Sequence, residues 1–496
     1  MIISFLLALG NQALNSSAPK PPFEPNWASM SAYRCPEWFK DAKFGIWSVW
    51  GPQSVPKQGD WYARKMYQQG DPDYDYQVAH YGHPSKFGYK DIIPLWKAEH
   101  WDPGKLMKLY KKAGAKYFVV MAVHHDNYDL WNSKYQPRWN SVNSGPHKDI
   151  VGMWRKEALR NGLRFGVTEH NARSLNWLQT SHQSDKSGPL KGVPYDGADP
   201  AYQDLYHPPF PESTFTYPQH PTEAWINEWA SRTRDLLTTY KPDLFYFDGG
   251  VPFGQTGRKI VADFYNQNAA EHGGDNQAVV CVKKTIDGEY VDGTCVQDVE
   301  RGAEKDISPL PWQTDTCVGD WFYREGIQYK TSTELVRRLV DVVSKNGDLL
   351  LNAPLSPEGD LDLAAEQTLL GIGNWLKTNG RAIYGTRPYS VFGEGPHNST
   401  GEMFKEDIGF TDQDIRFTVK DKSLFAIVLG KPPGPITIRS PLSLGNQSAI
   451  ASVKLLGSQD KCVWSSVPGA TTITPPATGT NDLANVFEIR FRQARL

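Results

Sequence analysis

Short, continuous apolar runs alternate with stretches of helical period through the first two-thirds of the chain. The segments 44–51 (FGIWSVWG), 116–125 (KYFVVMAVHH), 163–170, 244–248 (LFYFD), 278–283 and 349–352 read as strands buried on both faces, and a shorter extended piece ends at Glu300. Helix signals fall between them. Asp102-Pro103 opens one that runs to Lys112 and stops at Gly114; others are predicted over 149–160, 222–240, 258–270 and 331–345. Alternation of apolar strands with helices predicts α/β architecture, a parallel sheet covered on both faces. About seven such strands favour a (β/α)8-like barrel over an open, doubly wound sheet. No Gly-x-Gly-x-x-Gly turn follows a strand, which argues against a dinucleotide fold.

Beyond Lys377 the pattern shortens. The segments 415–419, 424–429, 436–438 and 486–491 are β-like and are separated by Pro-Gly, Gly-Asn and Thr-rich turns. This predicts a catalytic barrel over 24–387 and a C-terminal β-sandwich over 388–496. Residues 179–219, rich in Pro, His, Tyr and Asp, form a long irregular insertion, a kind of loop that is often functional. The apolar run 2–9 and the small, polar residues after it resemble a short secretory signal over 1–20, although no Lys or Arg precedes the run.

Composition narrows the function. With 53 basic and 55 acidic residues the chain is nearly neutral, so it lacks the electrostatic footprint of a partner for nucleic acid or anionic membrane. No run approaches the ~20 apolar residues of a spanning helix. There are 17 Trp, 23 Tyr and 21 Phe, and such flat apolar faces with polar handles suit sugar rings. Five cysteines include no CxxC pair, which disfavours a zinc or redox site and leaves one or two disulfides open. Asn-x-Ser/Thr sequons at Asn15, Asn398 and Asn446 fit a secreted glycoprotein.

Polar residues recur at the strand ends, where a barrel of this type places its active site. They are Trp50 with Asp60-Trp61 after it, His124-His125-Asp126, Glu169-His170, Asp248, Lys283 and Glu300. Asp248 follows four apolar residues, and burying a carboxylate there is costly unless it is paired or used. Two carboxylates facing one pocket from different strands are the minimum for glycoside hydrolysis. Neighbouring strand residues point to opposite faces, so His124 and His125 make a poor metal site; imidazoles bonded to sugar hydroxyls fit better.

These residues resemble those of the retaining α-L-fucosidases. The resemblance lies in Lys43-Phe44-Gly45-Ile46 to Trp50-Gly51, Ser54-Val55-Pro56, Asp60-Trp61-Tyr62, Gly114-Ala115-Lys116-Tyr117, His124-His125-Asp126, Leu130-Trp131, Asp149-Ile150-Val151-Gly152, Phe247-Asp248-Gly249 and Pro311-Trp312. Its most specific part is 339–352 (LVDVVSKNGDLLLN). It implies Asp248 as nucleophile and Glu300 as acid/base; Glu169, at another strand end, is the first replacement if a Glu300 variant loses aryl and natural fucosides equally without azide rescue. It also implies sugar contacts from Asp60, Trp61, His124, His125, Tyr246 and Lys283; Trp50, His170 and Trp312 are added as candidate contacts. One position departs: Val49 stands where the family usually has His, so a sugar hydroxyl loses a partner. The expected protein is a secreted exo-glycosidase releasing terminal α-L-fucose from glycans by double displacement, with no metal or cofactor. The alternatives are a fucose-binding lectin without turnover, or a glycosidase of this fold acting on a related sugar such as an α-L-galactoside.

Overall fold

Among the described residues, eight parallel strands close into a barrel in strict chain order. They are β1 (Phe44–Ser48), β2 (Tyr117–Val123), β3 (Arg164–Glu169), β4 (Leu244–Phe247), β5 (Val279–Lys283), β6 (Val296–Asp298), β7 (Trp312–Cys317) and β8 (Gly347–Asn352). The computed structural model describes residues 22–443 and 449–492. The expected signal over 1–20 and the sequons at Asn15 and Asn446 lie outside the described residues.

Closure rests on β8 pairing with β1, Gly45 opposite Leu350. β2 buries all seven of its residues, and each fully buried Val, Leu or Phe contributes roughly 1.5–3 kcal/mol. The long helices are α1 (Pro103–Lys112), α2 (Ile150–Arg160), α3 (Glu223–Tyr240), α4 (Gln255–Glu271), α5 (Ser332–Ser344) and α6 (Leu363–Asn379), and side-chain caps open α1, α2, α3 and α5. Asp102 accepts from Lys105 N, Asp149 from Gly152 N and Thr222 from Trp225 N; Thr331 and Glu334 form a capping box.

Two features differ from the expected pattern. β7 (WQTDTC) is a strand with no apolar run, because its polar side chains hydrogen-bond inside the barrel. No long helix follows β5 or β6, so alternation breaks there and the strands join through loops.

The C-terminal region is a β-sandwich. A five-stranded antiparallel sheet comprises β9 (Arg387–Glu394), β10 (Ile415–Lys420), β11 (Ser423–Val428), β13 (Ile450–Leu455) and β16 (Asn485–Phe491). The second sheet comprises β12 (Ile436–Ile438), β14 (Val463–Val467) and β15 (Ala470–Thr474). Phe417, Leu424, Ile438, Ile473, Phe487 and Ile489 fill the space between them. The sandwich is tied to the barrel by a buried ion cluster. Asp341 on α5 accepts from Arg416 Nε of β10 (2.6 Å) and from Lys345 Nζ (2.8 Å).

No helix among the described residues is long and apolar enough to cross a membrane. All five cysteines are unpaired, so the disulfides left open by the sequence are absent. The Asn398 side chain accepts from Lys345 and donates to Lys305 O, which leaves its amide engaged on both sides and weakens the case for a glycan there.

Candidate active site

At the C-terminal ends of the strands lies a cavity of about 380 Å³. Asp248 ends β4 and is followed by two glycines for steric reasons. Gly249 has φ of +145°, and a Cβ there would sit 2.5 Å from the Tyr217 hydroxyl. A Cβ at Gly250 would lie 2.7 Å from Asp287 O. The tight turn holds the Asp248 carboxylate in the cavity wall.

Four basic groups surround that carboxylate. Lys283 Nζ, at the end of β5, is 2.5 Å from Oδ1; His170 Nδ1 (3.3 Å), His125 Nε2 (3.4 Å) and Arg173 (3.4 Å) face Oδ2. Burial pushes the Asp248 carboxyl up, but Lys283 and Arg173 outweigh burial and hold it well below the usual carboxylate range. Lys283 Nζ also lies 2.6 Å from Glu300 Oε2. The two carboxyl oxygens that Lys283 bridges are therefore no more than 5.1 Å apart, the sum of its two contacts. Glu300 moves the other way: burial raises it, Lys283 opposes, and Asp315 and Asp248 add to the rise. One carboxyl is thus held ionised and its neighbour is biased toward the acid form, the split that acid and nucleophile roles require.

Hydrogen bonds assign the imidazole protons. Gln53 Oε1 accepts from Ala63 N, so its amide nitrogen donates to His124 Nδ1 (2.8 Å) and the His124 proton sits on Nε2. His125 Nδ1 donates to His170 O (2.7 Å), which leaves Nε2 bare toward the cavity in the neutral ring. Burial holds His125 down at about 4, so the neutral ring prevails at pH 7. His170 Nε2 meets the Thr168 hydroxyl (2.9 Å), and its Nδ1 faces Asp248 Oδ2 at 3.3 Å without a hydrogen bond. His124 and His125 both reach the cavity because β2 ends at Val123, so strand alternation no longer separates them. One nitrogen from each of the three rings lies within 4.8 Å of the others. In the tautomer its partners set, His124 turns an N–H into the cavity, as a sugar hydroxyl oxygen requires.

Asp60 and Trp61 line the cavity beside His124. Asp60 Oδ1 is buried without a hydrogen bond, and burial raises its pKa well above normal. Such a group is suited to a hydroxyl partner. Val49 also faces the cavity, so the wall is apolar where the resemblance expects an imidazole.

Three of the expected contacts do not reach the cavity. Beyond β1 the chain turns, and Trp50 tucks behind the wall against Trp96 and Trp101, its indole donating to Ser356 O. Trp312 begins β7, at the end of the barrel away from the site, and donates to Lys345 O. Tyr246 lies one layer down: its hydroxyl donates to Asp315 (2.9 Å), and Lys283 Nζ stands 5.8 Å from its ring centre. Glu169 is buried behind the wall, outside the cavity lining.

Several lining residues were not among the expected contacts: Arg173, Trp47, Trp321, Asp315, Asp287 and the segment carrying Met403 and Phe404. Arg173 was within reach, three residues past a polar strand end. Asp315 was hidden in the polar strand β7, where burial and Asp298 push its carboxyl well above normal.

The Alpha-L-fucosidase family profile matches residues 10–381. The chain belongs to the α-L-fucosidase family. Its members release fucose, and this chain is accordingly a glycosidase of that kind. Its similarity to the human plasma alpha-L-fucosidase is 30% identity over 468 residues, 90% of this chain and 86% of the relative. The alpha-L-fucosidase of Branchiostoma floridae is 28% identical, with 95% of each chain covered. The crystal structure of Thermotoga maritima alpha-fucosidase in complex with fucose superposes with a TM-score of 0.72 at 28% identity, covering 94% of this chain and all of that one. The fucosidase fold thus accounts for both barrel and sandwich.

Proposed function

We propose that the protein is a secreted, exo-acting α-L-fucosidase that retains anomeric configuration by double displacement. Asp248 attacks the anomeric carbon as the glycosidic C–O bond breaks, and Glu300 transfers its proton to the leaving oxygen. Glu300, now ionised, takes a proton from water. That water attacks the same carbon, Asp248 departs, and two inversions leave α-L-fucose. His124, His125, His170, Asp60 and Trp61 bind the sugar, whose apolar face suits the Trp61 ring. Lys283 steadies both carboxylates.

The observation that carries this reading is the Lys283 bridge, with its 5.1 Å ceiling on the separation of the bridged oxygens. Retaining enzymes place their carboxyl groups ~5–5.5 Å apart, and inverting ones leave ~6.5–9.5 Å for an intervening water. The similarity to a plasma fucosidase supports secretion.

Azide separates the two carboxylates. In Glu300→Ala an activated aryl fucoside should be spared relative to a natural glycan, because general-acid help is worth ~100- to 10,000-fold mainly for basic leaving oxygens. Azide should then accelerate turnover by attacking the β-linked fucosyl-enzyme and yield α-L-fucosyl azide. Asp248→Ala should lose all fucosides, with no retained product restored. Equal losses on both substrates without azide rescue would remove Glu300 from the acid/base role.

A further inference from the structure

The cavity opens through apolar side chains for which hydrolysis of the bound fucose has no use. Phe215 is 56% exposed, Ile286 93% and Phe404 61%, and all three line the opening together with Met403. They come from three distant stretches: the long segment after β3, the loop after β5, and the strap that follows β9. Phe215 leans on Trp61, with ring centres 5.9 Å apart. Exposed apolar groups gathered on one rim mark a contact surface.

The strap is held against the loop that carries the acid/base. Phe404 N donates to Glu300 O (2.9 Å) and Gly401 N to Ala303 O (3.1 Å). Two residues on, Glu406 pairs with Arg301 (2.6 Å) and Lys330 (2.9 Å) and accepts from Thr316 (2.5 Å). Phe404 has φ of +59°, a left-handed conformation unfavourable for phenylalanine. Anchors on both sides hold a large apolar ring in that conformation, mostly in water, beside Glu300.

We propose that Phe404, Ile286 and Phe215 form the subsite for the departing group, that they take the apolar C–H face of a pyranose, and that Phe404 determines specificity there. This rests on the fucosidase reading. The leaving oxygen must meet the Glu300 carboxyl to receive its proton, so the unit attached to that oxygen emerges at Glu300. Phe404 is hydrogen-bonded to Glu300 through its own backbone, which puts its ring beside that path. Contact through flat apolar faces selects an aglycone by its face rather than by its hydroxyl pattern.

The test is the ratio of kcat/KM for a fucosyl-N-acetylglucosamine disaccharide to that for α-L-fucosyl fluoride, whose leaving group reaches no rim residue. In Phe404→Ala this ratio should fall about tenfold, the worth of a few tens of Å² of lost apolar contact. Ile286→Ser should lower it in the same direction. An unchanged ratio in both variants overturns the subsite while leaving the fucosidase reading intact. A wild-type protein unable to hydrolyse the fluoride overturns that reading and the subsite with it.

Discussion

Lys283 concentrates the electrostatics of the site in one ammonium. It touches Asp248 and Glu300 and lies 4.0 Å from Asp315. Its charge lowers the pKa of both carboxyls, the proposed nucleophile and acid/base. Replacing it with methionine should let both rise. The acid limb of kcat/KM against pH, set by protonation of Asp248, then moves up into the measurable range, and the basic limb, set by ionisation of Glu300, moves up as well. A pH profile of Lys283→Met shifted downward or left in place would contradict this charge balance. Below Lys283, Tyr246 holds Asp315 through its hydroxyl and supports the layer on which the site rests.

Among the elements, α5 carries the motif most specific to the family, and its charges turn out to be structural. Asp341 is fully buried between Lys345 and Arg416, which hold its pKa below normal against burial. Asp341→Ala leaves two buried cations without their anion and should cost ~3–5 kcal/mol, the usual loss when one member of a buried pair is removed. Urea unfolding of the variant measures this. The strap has a pH signature of its own. Burial opposes ionisation of Glu406, but Arg338 and Lys330 outweigh it and hold the carboxyl at about 2. A depressed folded-state pKa stabilises above the unfolded value of ~4.3 and is lost as pH falls toward 2. The wild type should therefore lose up to ~3 kcal/mol across that window through this one group. Glu406→Gln should show a correspondingly flatter acid limb in its urea midpoint.

At the scale of the molecule, barrel and sandwich share one structure. Trp375 on α6 donates its indole to Ala484 O, Arg337 on α5 reaches Phe410 O and Leu483 O, and the strap crosses to the cavity. Deleting residues 388–496 would uncover Trp375, strip Arg416 from Asp341 and remove Phe404 from the site. The truncated chain should aggregate on expression. Any soluble fraction should have lost most activity toward α-L-fucosyl fluoride, assayed against the full chain.

Much of the site was legible in the sequence because a barrel strand writes its own end: an apolar run stops, and the next polar residue stands at the mouth. Asp248, His124 and Lys283 follow that rule, and caps such as Asp102-Pro103 and Thr331-Glu334 mark the helices as locally. The Asp248-Gly249-Gly250 turn follows from a φ that only glycine accepts readily. Trp50 and Trp312 show where local reading stops, since which way a side chain leaves a strand depends on the turn that follows and on the end of the barrel it occupies. β7 escaped because its polar side chains are satisfied only by neighbours distant in sequence. The low Asp248 carboxyl is held down chiefly by a lysine 35 residues away, whereas burial raises Glu300 against the pull of that same lysine. Phe404 was silent for the same reason. The chain's local chemistry determined the strands, helices and polar mouth, whereas the partners of each charge and the wall built from the strap exist only once the barrel closes and the sandwich packs against it.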